Sequence, residues 1–241
     1  MLGVLGGMGP AATIDFMAKV VALIDAARDQ DHIPMVVTSI PQIPDRTSAI
    51  LHNGEDPLPA MLRCVDVLEG AGASMIAIPC NTAHFWYPQI ADYAHIPVLN
   101  IVEACAQELR SRQSGALRVG LMATAGTLAS GIYQKRLTEF EIRLPADQGV
   151  VMQGIAAVKA GDLEGARLLL ERVADDLFRD RCDAIIMACT EIPLALAERA
   201  KRAPSQYIDP TNALAKMSVS RWNERAEYAT KREDKEQYAR A

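Results

Sequence analysis

Long apolar runs are missing from this chain of 241 residues. No stretch reaches the ~18–20 consecutive apolar residues that a membrane helix needs, so no membrane span is expected. Cysteine is scarce: five residues, an odd number, with no dense framework. That usage suits a reducing cytoplasm better than an oxidising compartment. The chain opens Met-Leu-Gly-Val-Leu without a basic run, so no signal peptide is expected. Basic charge is not in excess. A net charge of −5 argues against a general nucleic-acid surface. No Pro- or Ser-rich linker divides the sequence. What remains is an ordinary soluble composition, half apolar and 23% charged, in a chain long enough to bury a sizeable core.

Short apolar runs are present, and they alternate with helical patterns. Strands are predicted at Leu2–Leu5, Met35–Ile40, Ser74–Ile78, Val98–Ile101, Arg118–Ala123, Gly149–Met152, Ala184–Ala188 and Tyr207–Ile208. Most are uninterrupted rather than alternating, as in parallel strands covered on both faces. Between them lie amphipathic stretches. The clearest runs from Asp162, placed as an N-cap, to Arg179, with Leu163, Ala166, Leu170, Val173 and Leu177 on one stripe. This alternation predicts a doubly wound α/β fold.

Two features recur at nearly one offset. Gly3-Val4-Leu5-Gly6-Gly7-Met8-Gly9 resembles Gly120-Leu121-Met122-Ala123-Thr124-Ala125-Gly126. Met75-Ile76-Ala77-Ile78-Pro79-Cys80 parallels Ala184-Ile185-Ile186-Met187-Ala188-Cys189. The pattern predicts two similar lobes, one carrying Cys80 and the other Cys189. The charged stretch from Arg221 reads as a solvated helix or frayed tail.

Gly7-Met8-Gly9-Pro10-Ala11-Ala12 fits a glycine-rich loop between a strand and a helix. A dinucleotide site would also want an acidic residue at the end of the second strand, which here reads Thr38-Ser39-Ile40-Pro41. No Walker-type lysine follows. What stays is a backbone that approaches a ligand closely, with helix-start N–H groups that favour an anion such as a carboxylate.

Cys80 and Cys189 each follow a buried apolar run and precede a polar patch. Each is therefore expected at the carboxyl end of a strand, where open α/β sheets place their ligands. Cys64, Cys105 and Cys182 read as small buried hydrophobes. A disulfide does not suit a cytoplasmic chain, and a zinc site would want more thiols or histidines at short spacing. A Cys–His hydrolase using His84 is one alternative. Two thiols at equivalent places in two lobes suggest instead that one takes a proton from a carbon while the other returns one on the opposite face.

The runs Gly6-Gly7-Met8-Gly9-Pro10, Pro79-Cys80-Asn81-Thr82-Ala83-His84 and Cys189-Thr190-Glu191-Ile192-Pro193-Leu194 resemble the aspartate racemases of the aspartate/glutamate racemase family. The resemblance spans about residues 1–215. It implies two Rossmann-like lobes, residues 1–98 with the returning segment 208–241 and residues 99–207, with a site in the cleft between them, no cofactor, no metal, and usually a homodimer. It implies Cys80 and Cys189 as the acid/base pair. Asn81, Thr82, Thr124 and Thr190 should bind the α-amino and α-carboxylate groups of an amino-acid substrate. Arg46 and Lys159 match basic residues near the side-chain carboxylate, and Met8 and Glu191 are expected in the same pocket. Read without the family, Arg46 is also consistent with an exposed loop arginine. Lys159 before Gly161 fits a helix C-terminus, Glu191 equally fits a helix cap, and His84 fits a structural hydrogen-bonder. Ala188 departs from the glycine common before the second cysteine, which puts substrate choice in question. The expected activity is cofactor-independent racemisation of aspartate, with glutamate as a poorer substrate. The alternatives are a racemase or isomerase of another small carboxylate (glutamate, a hydantoin, maleate) and a non-catalytic amino-acid binding protein.

Overall fold

The computed structural model describes residues 1–112 and 118–238, with side chains up to residue 225. Its first half winds β1 (Leu2–Gly6), α1 (Pro10–Ala22), β2 (Met35–Ser39), α2 (Arg46–Leu51), α3 (Leu58–Gly70), β3 (Met75–Ala77), α4 (Tyr87–Tyr93), β4 (Val98–Leu99) and α5 (Ile101–Arg112). The second half continues with β5 (Arg118–Ala123), α6 (Ala125–Ser130), α7 (Ile132–Arg136), β6 (Glu141–Arg143), α8 (Gln148–Lys159), α9 (Leu163–Arg179), β7 (Ala184–Ala188), α10 (Ile192–Arg202), β8 (Tyr207–Ile208) and α11 (Pro210–Tyr238). Short 3₁₀ turns cover Asp29–Asp31 and Thr82–Trp86.

Two parallel four-stranded sheets result, ordered β2-β1-β3-β4 and β6-β5-β7-β8. The orders are the same once β5 is matched to β1, so the faint repeat in the sequence is a repeat of topology. The central strands β1, β3 and β7 are buried throughout, which is why they read as unbroken apolar runs. One core cluster joins the lobes: Leu2, Val4 and Phe16 share it with Val119, Leu121, Ile186 and Leu214. Helix α11 packs on α1 and α5. Asp209 starts α11 by accepting from the backbone N–H groups of Thr211 and Asn212, and it pairs with Lys19 of α1 at 2.6 Å. The helix carries the charged stretch from Arg221 to Tyr238; residues 239–241 lie outside the described residues.

One expected strand is a helix. Gly149–Met152 falls in the first turn of α8, where Asp147 caps the N–H groups of Gly149 and Val150. Val151, Gly154, Ile155 and Val158 then bury one face at helical spacing. The strand that sequence periodicity missed is β6, three residues at a sheet edge of which only Ile142 is apolar. The N-cap at Asp162 is as expected, its carboxylate accepting from Gly165 N.

Candidate active site

Both glycine-loop and cysteine motifs fall at the carboxyl ends of parallel strands. β1 runs into Gly7, whose φ of +92° admits glycine alone, because a Cβ there would meet the Ile40 backbone at 2.3 Å. Thr13 braces the loop from inside, accepting from Gly7 N (2.9 Å) and donating to Gly9 O (3.0 Å). Pro10 opens α1 with Gly9 as its N-cap. Cys80 follows β3 and precedes the Thr82–Trp86 turn, while Cys189 follows β7 directly and precedes α10.

A single small cleft is lined by Met8, Asp45, Arg46, Thr47, Cys80, Asn81, Thr82, Thr124, Lys159, Cys189, Thr190 and Glu191. All ten site residues expected from sequence lie together there. Asp45 and Thr47 were not anticipated. The free space is about 20 Å³, enough for little more than one water molecule. Both sulfurs belong to buried side chains, and all five cysteines are free thiols. No group of three metal-ligating side chains occurs among the described residues.

Each motif is held by specific bonds. The Cys189 thiol donates to Glu191 Oε2 at 2.9 Å, and the Thr190 hydroxyl lies 3.4 Å from the same oxygen. Burial pushes the Cys189 thiol well above its ordinary pKa, and the Glu191 charge beside it adds to the shift. Lys159, exposed at the end of α8, pulls weakly the other way. Glu191 occupies the N-cap position of α10 without capping it; its carboxylate serves Cys189 instead. Its other oxygen faces Gly9 of the opposite lobe, 3.3 Å from where a Cβ would stand.

Thr82 of the first lobe meets Thr124 and Thr127 of the second in a triangle of hydroxyls, with O–O distances of 3.0, 2.8 and 2.9 Å. Thr124 also caps α6 through Thr127 N. Tyr133 of α7 donates to Asn81 Oδ1 at 2.5 Å. Neither Thr127 nor Tyr133 was expected. The Thr-x-x-Thr spacing of an N-cap was a legible sign for Thr127, but Tyr133 carries no local signal.

Arg46 is the first residue of α2, not a free loop arginine. Its Nη1 donates to the carbonyls of Ile43 (3.0 Å) and Pro44 (2.9 Å). Its Nε is buried with no partner. The guanidinium is thus anchored at one corner while another donor stays unused. His84 is structural. Its ring bridges Cys80 O (Nδ1, 2.8 Å) and Ile101 N (Nε2, 3.0 Å), so Nδ1 carries the proton and Nε2 accepts. Complete burial lowers its pKa to about 4 and keeps it neutral. Both ring nitrogens are engaged, which removes the base that a Cys–His hydrolase would need. The Ala188 methyl packs into the shared core and does not line the cleft.

Two α/β lobes of one topology, each bringing a thiol to a shared cleft, define the class of the protein. Comparison with known proteins gives the class a family. Residues 5–218 match the Asp/Glu/Hydantoin racemase family, and the chain belongs to it. The broad specificity amino-acid racemase RacX of Bacillus subtilis is 32% identical over 228 residues, covering 91% of this chain and 97% of that protein. The aspartate racemase of Picrophilus torridus superposes with a TM-score of 0.80 at 36% identity, over 89% of this chain and 90% of that one. A glutamate racemase of Pseudomonas syringae is 32% identical over 147 residues, 54% of this chain and 50% of its own length. The protein is an amino-acid racemase of the PLP-independent type, hence an isomerase. No helix among the described residues is long and apolar enough to cross a membrane.

Proposed function

We propose that this chain interconverts L- and D-aspartate in the cytoplasm as a homodimer, with glutamate as a poorer substrate. The observation that carries this reading is the pairing of Cys80 and Cys189, supplied by equivalent strand ends of two lobes, in one cleft that also holds two cationic side chains. The lobes are taken as residues 1–98 with 208–241, and residues 99–207.

Racemisation without a cofactor needs one thiolate and one thiol on opposite faces of the α-carbon. Cys189 is held as the thiol, so it donates in the resting pair and Cys80 accepts. The Cα–H bond breaks as its proton passes to the Cys80 sulfur. The Cys189 S–H bond breaks as its proton passes to the other face of the carbon. The configuration inverts, and the two sulfurs exchange protonation states. Turnover in the opposite direction, or proton exchange with water, restores them.

The charge that develops at the α-carbon and its carboxylate is met by the hydroxyls of Thr82, Thr124 and Thr190 and by the Asn81 amide. Arg46 and Lys159 receive the side-chain carboxylate, and Glu191 faces the substrate ammonium. Met8 closes one wall. With room for about one water, the cleft must part its walls to admit substrate.

Incubation with L-aspartate and with L-glutamate in deuterated buffer, followed by chiral analysis, tests this reading. The expected result is deuterium at Cα in both enantiomers, faster with aspartate. A preference for neutral amino acids would make the chain a broad-specificity enzyme, as its Bacillus subtilis relative is named. Tight binding of aspartate with no α-hydrogen exchange would overturn racemisation.

A further inference from the structure

Asn81 is 2% exposed and its two amide ends are treated differently. Oδ1 accepts from the Tyr133 hydroxyl at 2.5 Å. Nδ2, with two hydrogens to give, has no partner. A buried amide N–H left unpaired costs on the order of 1–3 kcal/mol, so native structures leave few of them. Asn81 lines the cleft and Tyr133 does not. The acceptor end is therefore tied into the protein, and the donor end is the part of this cleft-lining amide left without a partner.

Tyr133 is itself completely buried, and it lies in the other lobe from Asn81. The Cys105 sulfur sits 3.5 Å from its hydroxyl oxygen. Because that hydroxyl donates to Asn81, the Cys105 S–H is the group that donates to it. Burial raises the pKa of both Cys105 and Tyr133, so each keeps its proton over the working range. The result is a one-way chain of donors: Cys105 S–H to Tyr133 O–H to Asn81 Oδ1, with the Asn81 N–H₂ left unpartnered.

We propose that Tyr133 is a positioning residue that locks the Asn81 amide with its N–H₂ end facing the substrate, and so assigns Asn81 to the α-carboxylate and not to the α-ammonium. A donor attracts an anionic oxygen and repels an ammonium, whereas a freely flipping amide would serve either. The lock crosses between lobes, so the amide is set only when they are apposed. The proposal rests on the racemase reading for its substrate. It concerns a carboxylate that every amino acid carries, and so it does not depend on which side chain is preferred.

The test is a double-mutant cycle on the full chain: wild type, Y133F, N81A and Y133F/N81A. L-aspartate is the ligand, kcat/KM is read from racemisation and Kd from calorimetry. Thermal melting of each variant monitors folding. Y133F is expected to weaken binding and kcat/KM by about 3- to 10-fold, the worth of one hydrogen bond. In the N81A background the same substitution is expected to change neither value, because there is no amide left to orient. N81D, which still accepts from Tyr133 but presents no N–H, is expected to bind at least as poorly as N81A. An unchanged Y133F, or an equal loss in both backgrounds, would overturn the proposal. If wild type binds L-aspartate without exchanging its α-hydrogen, the racemase reading fails while the Kd cycle still decides the role of Tyr133. If L-aspartate does not bind at all, both fail.

Discussion

The Cys189 thiol donates a 2.9 Å hydrogen bond to Glu191 Oε2, and both side chains are buried at the carboxyl end of β7. A carboxylate next to a buried thiol stabilises the protonated sulfur twice, by charge and by accepting its hydrogen. Replacing Glu191 with glutamine removes the charge and leaves the burial. The pH at which Cys189 ionises should therefore fall in E191Q. Alkylation of the Cys189 peptide by iodoacetamide, followed by mass spectrometry across pH, would show a midpoint displaced to lower pH. An unmoved or higher midpoint would mean that burial alone controls this sulfur.

His84 gives a second pH effect through stability. Its folded pKa lies near 4, below the ordinary 6.5, because the ring is buried and neutral. A depressed value means that the folded state binds the proton later than the unfolded chain does. The stabilisation is complete above pH 6.5 and is lost as pH falls from there toward 4. The size is roughly 3 kcal/mol at ~1.4 kcal/mol per pH unit. Denaturant unfolding at pH 7 and pH 4 should show a larger drop for wild type than for H84Q, which has no titrating group at this site. Equal drops would remove His84 from the account.

Arg46 offers a specificity test. Its guanidinium is pinned by two backbone carbonyls at Nη1, which leaves a planar donor edge for a carboxylate. Lysine keeps the charge and loses the fork. R46K should lose about 10- to 100-fold in kcat/KM for L-aspartate, the worth of one charge-assisted hydrogen bond. The loss for L-alanine should be much smaller. A parallel loss on both amino acids would show that Arg46 shapes the fold and not the side-chain pocket.

Gly126 sits where α6 packs on α2 beside the cleft. A Cβ there would stand 2.9 Å from both Cα and Oγ1 of Thr47, and Thr47 lines the cleft. The Thr47 backbone must shift to admit a methyl group, at a cost of about 1–3 kcal/mol. G126A should melt lower than wild type and should bind L-aspartate more weakly. Wild-type melting and affinity would show that the α2–α6 contact yields freely.

Much of the cleft was legible because its parts sit on strand ends. An unbroken apolar run followed by Cys-Asn-Thr or Cys-Thr-Glu fixes both the strand and the point where it delivers its side chains. The strand misread at Gly149–Met152 failed for a local reason: Asp147 caps a helix there, and four apolar residues carry too short a window to reveal the period. Strand β6 was silent because Ile142 is its one apolar residue, and a single residue carries no period to read.

Most of the strands, the two-fold repeat, the paired thiols and the burial of the three other cysteines were written in local pattern, since periodicity and strand-end position depend only on neighbours along the chain. The Tyr133–Asn81 bond, the Thr82–Thr124–Thr127 triangle and the unused Nε of Arg46 were decided by tertiary structure alone. Each depends on the distance between segments that approach only when the lobes pack on their shared core, and no sequence window spans that approach.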